Sequence, residues 1–358
     1  MAYLEFNGVG ITAMAAAIPQ RIINNYEYTE FFSKEEVKEV IDKVGVYERR
    51  FADEQTCSSD LCFAAAEKLI SDNQIDRSQI DLLIFVSQTP DYRMPATSVI
   101  LQDRLGLSNS TVAFDVNLGC SAFLYGLSIV YGMMAQKGFR KALLLDGETR
   151  SKVYSPRDRR SAFLFGDGGV AALIERNQKI QKSVFSLNSD GSRADLIMIP
   201  AGGYRNPSSV ETLKERVVDE WGNMRSDEHG YMRGGDVFNF VSREVPKDIK
   251  NILNYAGCTK DDFDYIIFHQ ANNFINSYVA KKMKLDIAKV PTTISKYGNT
   301  SSVSVPLTIV SELKDKLHGE KKLLMSAFGV GMTWATAIVP FSNCKISEIV
   351  EVCNGKVV

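Results

Sequence analysis

The chain has 358 residues, of which 45% are hydrophobic and 24% are charged, a composition typical of a globular protein. Its 42 Lys and Arg residues are balanced by 43 Asp and Glu residues, so it lacks the basic excess of a general nucleic-acid binder. No apolar run reaches the roughly 18 residues of a membrane span, and the first residues lack the basic start of a secretory signal. We therefore expect a cytoplasmic enzyme with neither a nucleic-acid partner nor a membrane span.

Short apolar runs alternate with helical patterns along the chain. Strands that are apolar without polar alternation are buried on both faces, and their alternation with helices predicts an α/β fold. The predicted helices are Asp60–Asn73, Ala122–Gln136, Ser242–Tyr255 and Ser302–Leu317. The predicted strands are Thr111–Val116, Ala142–Leu145, Val170–Ile174, Tyr265–Phe268, Leu323–Met325 and Thr336–Val339.

Two pairs of segments indicate an internal duplication. Ile80–Gln88 resembles Phe263–Ala271, 183 positions later, and Phe165–Gly169 resembles Phe328–Met332. Two matches in the same order favour duplication over chance. We predict two similar halves, residues 1–180 and 181–358, with an irregular inserted loop region at about 190–236 in the second.

The segment beyond Phe341 contains an Asn-Gly pair at residues 354–355. This pair suits a type I′ turn, which predicts a small hairpin at the C-terminus. A frayed terminus is the alternative.

The six cysteines are scattered, with no CxxC pair and no Cys/His cluster. This pattern favours reduced thiols over a disulfide framework or a zinc site. Cys120 has distinctive surroundings, because the strand-like Phe114–Val116 and a glycine precede it and a helical pattern follows. A helix N-terminus stabilises a thiolate, and its N–H groups can face an oxyanion. The alternative is a small cysteine that packs tightly between strand and helix.

Two polar side chains of the second predicted half, His269 and Asn299, are expected to lie near Cys120. His269 ends an apolar strand, and the carboxyl ends of strands are where α/β folds place ligands. We expect His229 and His318 to be exposed. Asn299, in the turn Gly298–Ser302, falls close to the position that mirrors the Cys120 loop. A satisfied histidine and an ordinary turn with a helix cap remain alternatives.

Four ordered motifs resemble those of β-ketoacyl-acyl-carrier-protein synthase III, a thiolase-fold condensing enzyme. They are Gly119–Phe123, His269–Asn272, Gly298–Ser301 and Phe328–Trp334. The resemblance runs from about residue 3 to residue 341. It implies a duplicated five-layered αβαβα body, a homodimer, and no metal or cofactor. It also implies acyl carrier protein and an acyl thioester as partners.

The resemblance assigns roles to individual residues. Cys120 matches the acylated nucleophile, and His269 and Asn299 match the pair that assists decarboxylation. The backbone N–H groups of Cys120 and Val330 match the oxyanion hole. The implied reaction transfers an acyl group to Cys120 and condenses it with a malonyl group on acyl carrier protein, with loss of carbon dioxide.

Departures from the family pattern concern the acyl donor. Glu39 takes the position of a Trp that stacks on the coenzyme A adenine, Lys43 that of an Arg, and Phe274 that of a second Arg. Arg159 is retained. An acidic group in place of an aromatic platform loses stacking and repels phosphates, which disfavours coenzyme A as donor.

Three further residues match substrate and carrier contacts of the family. Lys281 and Lys282 match basic residues that dock the acidic carrier, with a solvated helix face as the alternative. Met94 matches the residue that closes the acyl pocket of the partner subunit, where a flexible side chain tolerates varied acyl chains.

Two other functions stay open at the level of sequence. On the same fold, acyl-Cys120 could be passed to an alcohol or amine without condensation, although His269 and Asn299 weigh against this. The chain could also be a non-catalytic partner subunit, although Cys120 weighs against that. The biosynthetic setting also stays open among fatty acid initiation, a polyketide or lipid-like metabolite, and a surface-glycan modification.

Overall fold

The computed structural model describes residues 2–358. Its strands, in chain order, are β1 (Tyr3–Phe6), β2 (Val9–Pro19), β3 (Ile22–Asn24), β4 (Glu48–Arg50), β5 (Ile80–Val86), β6 (Val112–Val116), β7 (Lys141–Thr149), β8 (Asp167–Arg176), β9 (Ser183–Ser189), β10 (Ile197–Met198), β11 (Arg216–Val217), β12 (Met224–Arg225), β13 (Tyr231–Met232), β14 (Tyr265–Phe268), β15 (Glu320–Gly329), β16 (Thr333–Ser342), β17 (Lys345–Ile346), β18 (Val350–Cys353) and β19 (Lys356–Val357).

The α-helices are α1 (Lys34–Val44), α2 (Ser58–Asn73), α3 (Thr97–Arg104), α4 (Ala122–Met134), α5 (Val210–Leu213), α6 (Gly234–Ala256), α7 (Asn273–Lys282), α8 (Ile294–Tyr297) and α9 (Ser304–Leu313). None of these helices is both long and apolar enough to cross a membrane, judged over residues 2–358. The four helices predicted from sequence correspond to α2, α4, α6 and α9.

Two large sheets repeat one strand arrangement. In the first sheet the order is β19-β18-β2-β8-β7-β5-β6, with β17 also paired to β2. In the second it is β1-β9-β16-β15-β14. The set β5-β7-β8-β2 pairs parallel, antiparallel, antiparallel. The set β14-β15-β16-β9 pairs in the same pattern, which agrees with the predicted duplication.

The clusters of buried apolar side chains show how the helices and the two sheets are layered. Helices α4 and α9 lie between the two sheets and pack with the inner faces of both. Helices α2 and α3 cover the outer face of the first sheet, and α6 and α7 cover that of the second. Each sheet therefore has helices on both faces, and the predicted five-layered αβαβα fold of the thiolase type is confirmed.

The ends of the chain join the sheet of the opposite half. Strand β1 pairs with β9 in the second sheet, whereas β17 and β18 pair with β2 in the first. Asn354 and Gly355 have φ values of 51° and 69°, as a type I′ turn requires, so the predicted C-terminal hairpin is confirmed. The division into residues 1–180 and 181–358 stays a prediction.

Several strands are longer than the sequence predicts. Strand β7 continues past its apolar run through Asp146 and Glu148, both fully buried. Strand β2 contains four alanines, a residue type that favours helices over strands. His229 is half-buried rather than exposed, and its Nδ1 accepts a hydrogen bond from the Ser226 N–H. His318 is exposed as predicted.

Candidate active site

Cys120 lies in a tight turn between β6 and α4. It is 7% exposed, and the hydroxyl of Ser301 donates a hydrogen bond to its sulfur at 3.6 Å. Gly329 passes so close that a Cβ there would be 2.7 Å from the Cys120 Cβ and 2.8 Å from its Sγ. Backbone from both halves of the chain therefore encloses the sulfur.

Burial raises the pKa of the Cys120 thiol above its usual value. The positive charge of Arg150 and the Ser301 hydroxyl oppose this rise. The position of Cys120 at a helix start predicted a stabilised thiolate. In the resting pocket, however, the loss of solvent around the sulfur has the largest effect on its pKa and raises it. Arg150 and Ser301 therefore stabilise the thiolate, which is the form of Cys120 that attacks a substrate.

His269 directly follows β14 and is 2% exposed. Burial lowers its pKa from 6.5 to about 3, although the Ser301 backbone carbonyl favours the charged form. Its Nδ1 lies 2.8 Å from the Ser304 hydroxyl, which also accepts the Gln270 N–H at 3.1 Å. When the Ser304 hydroxyl donates to Nδ1, the imidazole proton is on Nε2. A neutral ring of this kind is a hydrogen-bond donor rather than a strong base.

The Asn299 amide is held by backbone contacts. Its Oδ1 accepts the Ser301 N–H at 2.9 Å, and its Nδ2 donates to the Ala271 carbonyl at 3.4 Å. The backbone of Asn299 bonds on both sides to the loop of the first half, with Leu164 and Gly166. These contacts orient the amide, so that its NH₂ end lies toward the loop that follows His269.

One pocket brings the predicted catalytic residues together. It has a volume of about 570 Å³ including its mouth, and Cys120, His269, Asn299 and Val330 all line it. Its remaining walls are mostly apolar, with Tyr154, Phe165, Ile197, Met232, Val237, Ile275 and Phe328 among the lining residues. Three polar groups from distant parts of the sequence thus face a single largely dry space.

The predicted substrate and carrier residues lie outside this pocket. Met94 is 77% exposed, and Arg159 forms an ion pair with Glu36 at 3.2 Å. Phe274 and Lys281 line a separate open groove on the surface. Lys282 is exposed and donates to a backbone carbonyl of α6.

Three residues beside the candidate catalytic groups were not predicted from the sequence. Ser301 and Ser304 bond to Cys120 and His269, and Arg150 lines the pocket. Ser301 has a φ of 56°, which is uncommon for a non-glycine residue and marks a constrained position. The turn Gly298–Ser302 already contained the signal for Ser301. Nothing local in the sequence pointed to Arg150.

A sulfur nucleophile that faces two N–H donors in a dry pocket can form an acyl thioester and stabilise an enolate beside it. On a duplicated thiolase-like body, this arrangement defines a carbon–carbon condensing enzyme. Within residues 2–358, no group of three or more metal-ligating side chains occurs.

Comparisons with known proteins identify the family. Residues 114–191 match the family model of 3-oxoacyl-acyl-carrier-protein synthase III, and residues 253–341 match the model of its C-terminal part. A β-ketoacyl-acyl-carrier-protein synthase III of Aliarcobacter butzleri is 33% identical over 350 residues, which cover 96% of this chain and 100% of that protein. The one from Caldanaerobacter subterraneus is 32% identical, covering 93% and 98%.

Solved structures agree with the sequence relatives. The crystal structure of a 3-oxoacyl-acyl-carrier-protein synthase from Burkholderia xenovorans has a TM-score of 0.92 and 38% identity, covering 98% of this chain and 99% of that one. The chain belongs to the 3-oxoacyl-acyl-carrier-protein synthase III family. It is accordingly an enzyme of the acyltransferase class.

Proposed function

We propose that the chain condenses an acyl thioester primer with malonyl-acyl-carrier protein through an acyl-Cys120 intermediate. The observation that carries this proposal is the single buried pocket that Cys120, His269 and Asn299 share. The product is a β-ketoacyl group on the carrier protein, and carbon dioxide leaves.

Cys120 acts first. Its thiolate attacks the carbonyl carbon of the primer thioester, and the donor thiol leaves with the proton that Cys120 loses. The backbone N–H groups of Cys120 and Val330 donate to the oxyanion that forms. Donors fixed in this way stabilise developing charge without reorganisation.

His269 and Asn299 act in the second step. When the malonyl carboxylate leaves as carbon dioxide, the remaining electrons form an enolate on the thioester. The neutral His269 donates from Nε2 and Asn299 donates from Nδ2 to this enolate oxygen. The enolate carbon then attacks the acyl carbonyl, and the Cys120 thiolate is released.

Carrier docking and donor choice depend on surface groups. Lys281 and Lys282 are exposed at the end of α7, where they can meet an acidic carrier. Arg159 is engaged by Glu36 on α1, and Glu39 is exposed on the same helix. These carboxylates oppose the binding of a nucleotide phosphate, which supports a carrier-protein donor over coenzyme A.

A homodimer completes the proposal. Strand β6 is the unpaired edge of the first sheet, and it leads directly to the Cys120 turn. An edge strand can pair with its copy across a twofold axis, and the exposed Met94 would then reach the partner's acyl pocket. All six cysteines are free, the state expected of a cytoplasmic enzyme.

A labelled malonyl carrier protein tests the reaction. We expect release of labelled carbon dioxide that depends on prior acylation of Cys120, together with a β-ketoacyl product. His269→Ala should lower decarboxylation by about 10²–10³-fold, the effect of losing one oxyanion donor, and should leave much of the acylation intact. His318→Ala, at an exposed histidine, is the matched control.

The alternatives give different results in the same assay. Acylation of Cys120 without carbon dioxide release, followed by transfer to an alcohol or amine, would favour the simple acyltransferase. No acyl adduct from any donor would favour the non-catalytic partner subunit and contradict the proposal.

A further inference from the structure

The wall of the active-site pocket contains one cation. Arg150 lines the pocket and is only 4% exposed, although most of its neighbours there are apolar. A buried guanidinium is expensive to desolvate and is rarely retained without a partner. An acyl chain made only of methylene and methyl groups would give this cation nothing to bind.

The hydrogen bonds of Arg150 leave one of its three guanidinium nitrogens without a partner. Its Nη2 donates to the Tyr154 hydroxyl at 2.9 Å, and its Nη1 donates to Gln88 Oε1 at 3.4 Å. Its Nε is buried and has no hydrogen-bond partner. An unpaired buried donor on a charged group is a costly feature that a ligand oxygen would relieve.

Glu148 balances the charge of Arg150 without bonding to it. The closest oxygen of Glu148 is 3.9 Å from Arg150 Nη1. The two carboxylate oxygens of Glu148 accept from the Gln88 N–H and the Thr89 hydroxyl, each at 3.1 Å. An acceptor on a ligand would therefore complete the hydrogen bonds of Arg150, and with Glu148 nearby this acceptor need not be negatively charged.

Aromatic rings hold the guanidinium at the pocket wall. The Arg150 Cζ lies 5.2 Å from the centre of the Tyr154 ring and 5.7 Å from that of Phe165. These two rings stack on each other with centroids 3.9 Å apart, and both line the pocket. The donor is thus pre-positioned, which reduces the entropy lost when a ligand binds.

Arg150 is also near the nucleophile. Gln88 Oε1, which contacts Arg150, lies 3.2 Å from the position that a Cβ on Gly119 would take. One amide side chain therefore separates the guanidinium from the turn that carries Cys120. We infer that Cys120 takes a short acyl chain bearing an oxygen acceptor, which hydrogen-bonds to Arg150. This inference rests on the proposed function and names its primer class.

The acceptor can be a neutral hydroxyl oxygen or a carboxylate, and matched thioesters distinguish these two. The test uses pantetheine thioesters, which bypass carrier recognition, and follows the Cys120 adduct by intact-protein mass. The neutral pair is 3-hydroxybutyryl against 3-methylbutyryl, and the charged pair is succinyl against 4-methylpentanoyl. Within each pair, an oxygen group replaces a methyl or isopropyl group of similar shape.

We expect one oxygen-bearing member to acylate Cys120 about tenfold or more faster than its hydrocarbon partner, because a hydrogen bond to a charged donor is a strong one. Arg150→Met should remove or reverse this preference. The double variant Arg150→Met/Glu148→Gln avoids an uncompensated buried carboxylate if the single variant does not fold. Arg176→Met, at an exposed arginine, is the matched control.

Equal or faster acylation by both hydrocarbon members, or an unchanged preference in the double variant, would overturn the inference and leave the condensation reaction standing. No adduct with any of the four thioesters would instead overturn the proposed function, and the inference with it.

Discussion

Gly329→Ala is the sharpest test of how the pocket holds its nucleophile. The new methyl group would lie 2.7 Å from the Cys120 Cβ and 2.8 Å from its Sγ. Since ordinary contact begins at 3.4 Å, strand β15 and the Cys120 turn must separate by about 0.7 Å to clear the closer contact. A displacement near 1 Å can reduce a rate by about 10²-fold. We expect acylation to slow by about 10–100-fold, and overpacking to lower the free energy of unfolding by about 1–3 kcal/mol.

Stopped reactions read by intact-protein mass would measure the acylation rate of Gly329→Ala. Thermal unfolding would measure its stability separately. Gly138→Ala is the control, because a Cβ at Gly138 meets nothing within 4 Å. If Gly329→Ala has the acylation rate and stability of the wild type, the Cys120 turn tolerates displacement. That result would refute the claim that the close approach of Gly329 positions the sulfur.

Three other predictions concern the groups around the pocket. Ser301→Ala removes the donor to Cys120, so the pH midpoint of thiol alkylation should rise and acylation should fall about two- to tenfold, the worth of one net hydrogen bond; an unchanged midpoint would exclude this role. The pKa of His269 is about 3 in the folded chain against 6.5 when unfolded, so the unfolded state binds more protons between these values. The free energy of unfolding should therefore fall as pH drops below 6.5, by about 2–3 kcal/mol at two units below it; urea titrations should give a flatter profile for His269→Asn, and an identical profile would contradict the assignment. Reversing the charge of Lys281 and Lys282 to Glu should raise KM for malonyl-acyl-carrier protein about three- to tenfold and leave acylation by pantetheine thioesters unchanged; equal KM values would remove both residues from carrier docking.

Sequence patterns singled out Cys120, His269 and Asn299 because these residues lie at strand ends and turns, and all three line one pocket. The His269 strand was predicted with its observed bounds, and duplication placed Asn299 near the Cys120 turn. Arg150 could not be predicted in this way. It follows β7 as one charged residue in a polar stretch, and its place at the pocket beside Tyr154 and Phe165 depends on tertiary packing.

The fold was predictable where apolar runs were continuous and harder to predict where they were not. Strand β7 extends through buried carboxylates, which a search for apolar runs treats as a strand end. Strand β2 is rich in alanine because α2 packs closely on β2 and on the adjoining strand β8. The space under α2 is so small that a Cβ on Gly169 of β8 would lie 2.7 Å from Leu61. Such packing requirements are tertiary and leave no local pattern.

The exchange of terminal strands between the sheets has a consequence for how the molecule is made. During synthesis the first sheet can gain β17 and β18 only after residues 345–353 have left the ribosome, so its β2 edge stays open while the preceding 340 or so residues are made. For the same reason, no single cut of the backbone would yield two self-sufficient fragments. Each fragment would lack a strand of its own sheet that the other fragment carries.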